Sequence, residues 1–341
     1  MNFSLEQLSL GLSRVVFFRS VLEEPVMHRF CAFVQLLTGT EENGRENTKF
    51  AKIDAYSVFL EALYAEGGNL GVYLNDRLEC DDNTYYRLAA AKKEISHVMR
   101  DCFMSELAFF SSLTHLTPAK LFVLAGLPNN LAGFDNTIFD FSSTVPAWLA
   151  RADVYGYGIY AKYGMFRVDE QARLVPVPSP DPITLSDLIG YESERGEVIA
   201  NTKALIEGRP AANVLLCGDA GTGKSSTVKA VANRFRADGV RLVEFRKEQL
   251  VLLPAVMGEI ADNPLKFILF VDDLSFAKDD DGYASLKAAL EGSASVKAPN
   301  AVIYATSNRR HLVKETFSAR EGDEIHRRDA IEELMSLSER F

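Results

Sequence analysis

The sequence predicts an α/β protein, with a parallel sheet flanked by helices in its C-terminal half and a mostly helical region ending in a β-hairpin before it. Three observations carry this. Four segments, 213–218 (NVLLCG), 241–247 (RLVEFRK), 266–273 (KFILFVDD) and 301–308 (AVIYATSN), alternate with helical stretches. Three of the four are nearly continuous apolar runs, the pattern of strands buried on both faces of a parallel sheet. Upstream, residues 1 to about 125 place their apolar side chains at helical spacing instead.

In the helical region, Ile53, Tyr56, Phe59, Leu60 and Leu63 recur along one face, and Gly67-Gly68 stops the run. A second long helical pattern covers 84–110, with aromatic and Met positions read as core. The segment around Trp148 has no assignment. Residues 154–177 alternate and carry polar residues at their centre, as a β-hairpin does. Next, Pro176, Pro178, Pro180 and Pro182 alternate with other residues; prolines at that density block helix and hold the chain extended. This stretch is read as a stiff linker between a region 1–178 and a core 179–341.

Composition bounds the function. The chain has 341 residues, 47% apolar and 25% charged, an ordinary globular mix with room for two domains. Lys plus Arg number 37 against 47 Asp plus Glu, a net charge of −10, which argues against broad phosphate-driven nucleic-acid binding. Cys31, Cys80, Cys102 and Cys217 form no CxxC pair and no metal-ligand spacing with the five histidines, as expected of free thiols in a reducing compartment. The N-terminus lacks a basic region followed by an apolar core, and no apolar run approaches the roughly 18 residues that span a bilayer. A cytoplasmic protein without a membrane span is expected.

The chemistry concentrates where the first apolar run meets GDAGTGKSS. This is the G-x-x-x-x-G-K-[ST] pattern in its required context, a strand before and a helix after. The glycines let the backbone curl around an anion so that successive N–H groups point inward, and the helix from about Lys224 to Arg236 adds its positive end. Gly218, Asp219, Ala220, Gly221, Thr222, Gly223, Lys224, Ser225 and Ser226 are therefore expected to hold the phosphates of a nucleotide. Lys224 reaches for the outer phosphates and the Ser225 hydroxyl ligates magnesium. The competing reading is a glycine-rich turn that matches by accident.

The run FILFV ends in two adjacent carboxylates, Asp272 and Asp273. Ligands bind outside the carboxyl ends of strands in open α/β sheets, and a strand adjacent to the phosphate-loop strand is expected to present an acidic residue there. Asp272 is assigned to magnesium, directly or through water, and Asp273 to orienting or deprotonating an attacking water. An acidic helix cap is the competing reading. The strand AVIYATSN ends in Thr306, Ser307 and Asn308, and a neutral amide there can hold a water without perturbing its charge. Ser-Asn also commonly begins a turn.

Taken in this order and at these intervals, GDAGTGKSS, FILFVDD and YATSN resemble the Walker A, Walker B and sensor 1 elements of AAA+ ATPases. FVDDLSF, YASLKAALEGS and YATSNRRHL resemble, more narrowly, an uncharacterised bacterial family of AAA+ ATP-binding proteins of unknown function. The resemblance implies that Leu188, Ile189 and Gly190 contact adenine. It implies catalytic roles for Lys224, Asp273 and Asn308, and for Arg340, which reaches the ATP of a neighbouring subunit; a helix-terminal arginine is the alternative for the last. It further implies a fifth strand and a helical lid after residue 341, so an AAA+ core lacking its lid, a truncated or incomplete form, is expected. One departure is the second Walker B residue, Asp273 where Glu is usual; helicase-loader-like members also show Asp-Asp.

The function so implied is binding and Mg-dependent hydrolysis of ATP, coupled to remodelling or loading of an unknown protein partner by a homo-oligomer, a ring or a nucleotide-driven assembly. The alternative is a nucleotide-dependent binding switch with little turnover. A GTPase is disfavoured because no Asn-Lys-x-Asp motif occurs, and a small-molecule kinase would need an acceptor pocket the sequence does not display. Residues 278–282 (KDDDG) are read as a solvated loop, and Arg309-Arg310-His311 and His326-Arg327-Arg328 as solvated or subunit-facing rather than nucleic-acid-binding.

Overall fold

The structure, a computed structural model, describes residues 4–38, 49–274, 286–290, 298–308 and 341. The chain forms two compact units, one of residues 1–151 with 157–161 and one of 152–156 with 162–341.

The first unit is helical in its described residues. Its helices start where short polar side chains accept otherwise unpaired backbone N–H groups: Ser4, Asn69, Asn83, Ser96 and Thr117 all cap in this way. Helix Lys49–Ala65 buries Tyr56, Phe59, Leu60 and Leu63, as the spacing predicts. The pattern over 84–110 is not one helix. It breaks into Thr84–Ala90 and His97–Leu113, because Lys92 turns into the left-handed region (φ 53°) and Ser96 starts a new helix by capping Met99. The stretch around Trp148 is helix Phe141–Leu149, with the indole tilted against Tyr86 at 5.5 Å. The carboxylate of Glu106 is buried, and it accepts the N–H groups of Val16, Phe17 and Phe18. Those bonds supply what a buried anion needs in place of water.

The second unit is built on a six-stranded, mostly parallel sheet: β1 (Met165–Val168), β2 (Leu174–Pro176), β3 (Val214–Cys217), β4 (Val240–Phe245), β5 (Lys266–Val271) and β6 (Ala301–Ser307). The strand order is β2-β1-β4-β5-β6-β3, with β1 and β2 antiparallel and every other pair parallel. Phe267 to Val271 on β5 are completely buried, as a central parallel strand covered on both faces must be. On one face Ile268, Phe270, Val302 and Tyr304 pack with Val228, Val231 and Phe235 of helix Lys224–Phe235. Full burial of such a side chain is worth roughly 1.5–3 kcal/mol. The Tyr304 hydroxyl enters this core only because Thr202 and Asn201, on helix Glu192–Ile206, meet it at 2.8 and 3.1 Å.

Three sequence expectations are displaced. The hairpin is present as β1 and β2, but 154–162 instead holds the short helices Ala152–Tyr155 and Ile159–Lys162. β1 also pairs with β4, so the hairpin belongs to the sheet of the second unit. The proline stretch therefore lies inside that unit, and the division between compact units falls near 151–162 rather than at 178/179. It is also anchored: Asn233 Nδ2 donates to the carbonyls of Asp181 and Ile183 at 2.9 and 2.8 Å.

Asn300, buried just before β6, donates its Nδ2 hydrogens to the carbonyls of Ile260, Asn263 and Leu265 at 2.9, 2.7 and 3.1 Å. It ties the start of β6 to the turn that begins β5. Asn300→Ala strands those buried acceptors and should lower the unfolding free energy by about 2 kcal/mol. Urea denaturation followed by circular dichroism measures this; a loss below about 0.5 kcal/mol would contradict it.

Candidate functional site

The phosphate-loop strand is not next to the acidic strand, as had been expected. β6 lies between them, pairing with β5 on one edge and β3 on the other. All three strands are parallel, so their carboxyl ends open on the same edge of the sheet, and the candidate residues collect there.

From β3 the chain enters the glycine loop. Gly221 and Gly223 have φ of 78° and 80°, where an L side chain costs roughly 1–2 kcal/mol. Gly223 is also the N-cap of helix Lys224–Phe235, so the loop delivers the helix's unpaired N–H groups to one spot, the arrangement that attracts anions. Thr222 braces the loop by donating to the Asp219 carbonyl at 2.9 Å, and the Gly218 N–H donates to the Ser307 carbonyl of β6 at 3.2 Å. Ala220 is exposed and Ser226 half-buried in the same segment.

Lys224 curls back over this loop. Its Nζ donates to the carbonyls of Gly218 and Asp219 at 2.9 and 2.7 Å and to Asn308 Oδ1 at 2.9 Å. Lysine can only donate, so Asn308 turns its oxygen to Lys224, and its Nδ2 donates to Asp273 Oδ1 at 2.9 Å. A neutral amide thus bridges the ammonium and the second carboxylate. The first carboxylate points elsewhere: Asp272 Oδ1 accepts from the Ser225 hydroxyl and from the Thr306 hydroxyl, each at 2.5 Å. Both aspartates are exposed, immediately past the buried strand.

Ser225 and Asp272 present hard oxygen donors in contact. Magnesium is typically held by one or two carboxylates and substrate phosphates rather than by an all-protein cage. Among the described residues no group of three His, Cys, Asp or Glu side chains could hold a metal ion. Ser225 and Asp272 are the residues that could hold a magnesium ion whose other ligands come from a phosphate. Leu188 approaches the loop, its Cδ2 3.9 Å from where a Cβ on Gly223 would lie. Ile189 is 96% exposed, and Gly190 (φ 77°) and Tyr191 (φ 57°) make a left-handed turn beside it. Arg340, the two basic clusters and 278–282 lie outside the described residues.

From sequence, Thr306 is only part of a strand tip. The signal that identifies it is physical: a hydroxyl in a strand this apolar is buried, and a buried hydroxyl needs partners.

A mostly parallel sheet flanked by helices, with a glycine loop leading from a strand end into a helix, is compatible with a P-loop NTPase-like fold. The chain belongs to the family described as "Protein of unknown function (DUF815)", whose family model matches residues 161–341. That match begins within one residue of Lys162, where the second compact unit resumes. A solved structure titled "Crystal Structure of the DnaI" is similar to this chain at 16% identity and a TM-score of 0.31, covering 51% of this chain and 91% of that one. No curated protein matches the chain. Among the described residues no single helix is long and apolar enough to cross a membrane.

Asn308 is exposed, and its described side-chain bonds go to Lys224 and Asp273. Asn308→Ala should leave the unfolding free energy within about 0.5 kcal/mol of the wild type. A larger loss in denaturant titration would mean that the bridge supports the fold rather than the site.

Proposed function

We propose that this protein is an AAA+-type ATPase that binds ATP with magnesium and hydrolyses it, and that turnover is coupled to remodelling or loading of a protein partner. The observation that carries the reading is the convergence, at the carboxyl ends of β3, β5 and β6, of a donor-rich glycine loop, the Lys224 ammonium and two carboxylates with different partners. In this reading the loop N–H groups and Lys224 bind and orient the phosphates. Ser225 and Asp272 hold magnesium, which would screen the negative charge that builds up on the phosphates. Asp273, steered by Asn308, orients the attacking water or accepts its proton. Leu188, Ile189 and Gly190 offer an apolar edge for the base.

One observation favours a second reading, a nucleotide-dependent switch with little turnover. Asp273 is a methylene shorter than Glu, and one of its oxygens is already engaged by Asn308. Steady-state phosphate release separates the two.

Lys224→Ala should weaken ATP binding by roughly tenfold to a hundredfold, the worth of a charge-assisted contact. Unchanged affinity in a fluorescent-nucleotide titration would sink the assignment. Asp273→Asn should keep Mg-ATP binding while phosphate release drops by about a hundredfold or more. Release at the wild-type rate would remove Asp273 from the mechanism. We further propose that the protein works as a homo-oligomer, so specific activity should rise with protein concentration; activity independent of concentration across the micromolar range argues for a self-sufficient monomer.

A further inference from the structure

Thr306 sits on β6, opposite the end of β5, with 1% of its surface exposed. It touches the chain after β5 at three consecutive residues. Its hydroxyl lies 2.5 Å from Asp272 Oδ1 and 2.9 Å from the Asp273 nitrogen, and its carbonyl accepts the Leu274 N–H at 2.7 Å.

The direction of these bonds follows from counting hydrogens. A threonine hydroxyl has one hydrogen. The Asp273 N–H can only donate, so the hydroxyl oxygen accepts there, and its own hydrogen goes to Asp272. The bond to Asp272 therefore has a fixed polarity and leaves that oxygen facing Ser225, whose hydroxyl is also 2.5 Å away. The bond from Asp273 holds its backbone in the left-handed region, φ 51°, which non-glycine residues rarely occupy without outside support. That turn carries the Asp273 side chain away from its neighbour and onto Asn308.

We propose that Thr306 is a positioning residue that divides the two aspartates between tasks, presenting Asp272 to magnesium beside Ser225 and Asp273 to the water-orienting side of the site. The proposal rests on the Mg-nucleotide reading above. Thr306 itself touches neither metal nor nucleotide; it acts by aiming the groups that do. Removing such a partner of a metal ligand typically costs 10–100-fold in metal affinity.

Thr306→Val keeps the branched shape and removes both hydroxyl bonds, while Thr306→Ser keeps the hydroxyl. Two measurements apply. The first is the exchange rate of the Asp273 amide in nucleotide-free protein, resolved by NMR; the second is affinity for a fluorescent ATP analogue with magnesium and in EDTA. In Thr306→Val the Asp273 amide should exchange faster, and the magnesium needed for half-maximal enhancement of binding should rise by roughly tenfold to a hundredfold. Affinity in EDTA should not change, and Thr306→Ser should behave as wild type in both measurements. If Thr306→Val lowers affinity in EDTA as well, Thr306 supports the fold of the whole site rather than aiming its two aspartates, and the positioning role is wrong. If wild type responds to magnesium and Thr306→Val responds identically, the positioning role is wrong and the nucleotide site stands. Wild-type protein that does not bind the analogue, or binds it without regard to magnesium, overturns both. An Asp273 amide that exchanges at the free-peptide rate in wild type overturns the role without any variant.

Discussion

The site depends on β6 being paired on both edges. Its ladder with β5 ends at Val271 opposite Ala305, and its ladder with β3 ends at Cys217 opposite Ser307. Residues 306–308 therefore lie just past the β5 rung, level with the first three residues after β5 and beside the start of the glycine loop. Because side chains alternate along a strand and register is pinned by a buried face, a slip of one residue would turn Thr306 away and present Ala305 or Ser307 instead. The complete burial of Phe267 to Val271 makes that slip expensive, so the sheet core holds the chemistry in place.

Around that edge, charge is handled by neutral go-betweens. Two carboxylates adjacent in sequence repel, and a lysine nearby would draw both towards itself. Instead Asn308, with one accepting and one donating end, stands between Lys224 and Asp273, and two hydroxyls occupy Asp272. Each charged group keeps a defined partner, and no direct ion pair between Lys224 and either aspartate forms among the described residues. The two aspartates keep accepting capacity for a bound substrate, whereas all three hydrogens of Lys224 are engaged, so the ammonium must exchange a loop carbonyl or Asn308 for a phosphate oxygen.

Local chemistry made much of this legible from sequence. Apolar runs without alternation located β5 and β6, which are covered on both faces; β3 is written the same way but is a half-buried edge strand, and β4 is buried despite its charged residues. The glycine loop was legible because positive φ and close anion approach leave few residue choices. What escaped was long-range. Nothing in the runs themselves says that β6 inserts between β3 and β5, or that an alternating hairpin finds its parallel partner in β4. The left-handed turn at Lys92 hid among good helix formers, with no glycine or proline to mark it. Thr306 hid for the opposite reason: a β-branched residue is what a strand prefers, so its hydroxyl drew no attention.

The clasp between Asn233 and the carbonyls of Asp181 and Ile183 has a mechanical consequence. Proline has no N–H, so in a stretch this rich in proline the carbonyls are the principal handles by which the backbone can be gripped. Asn233 grips two of them from the last turn of the helix whose first residue is Lys224. Nine helical steps separate the two, about 14 Å of stiff rod at 1.5 Å per step. The proline strap and the glycine loop are thereby attached to opposite ends of one stiff helix.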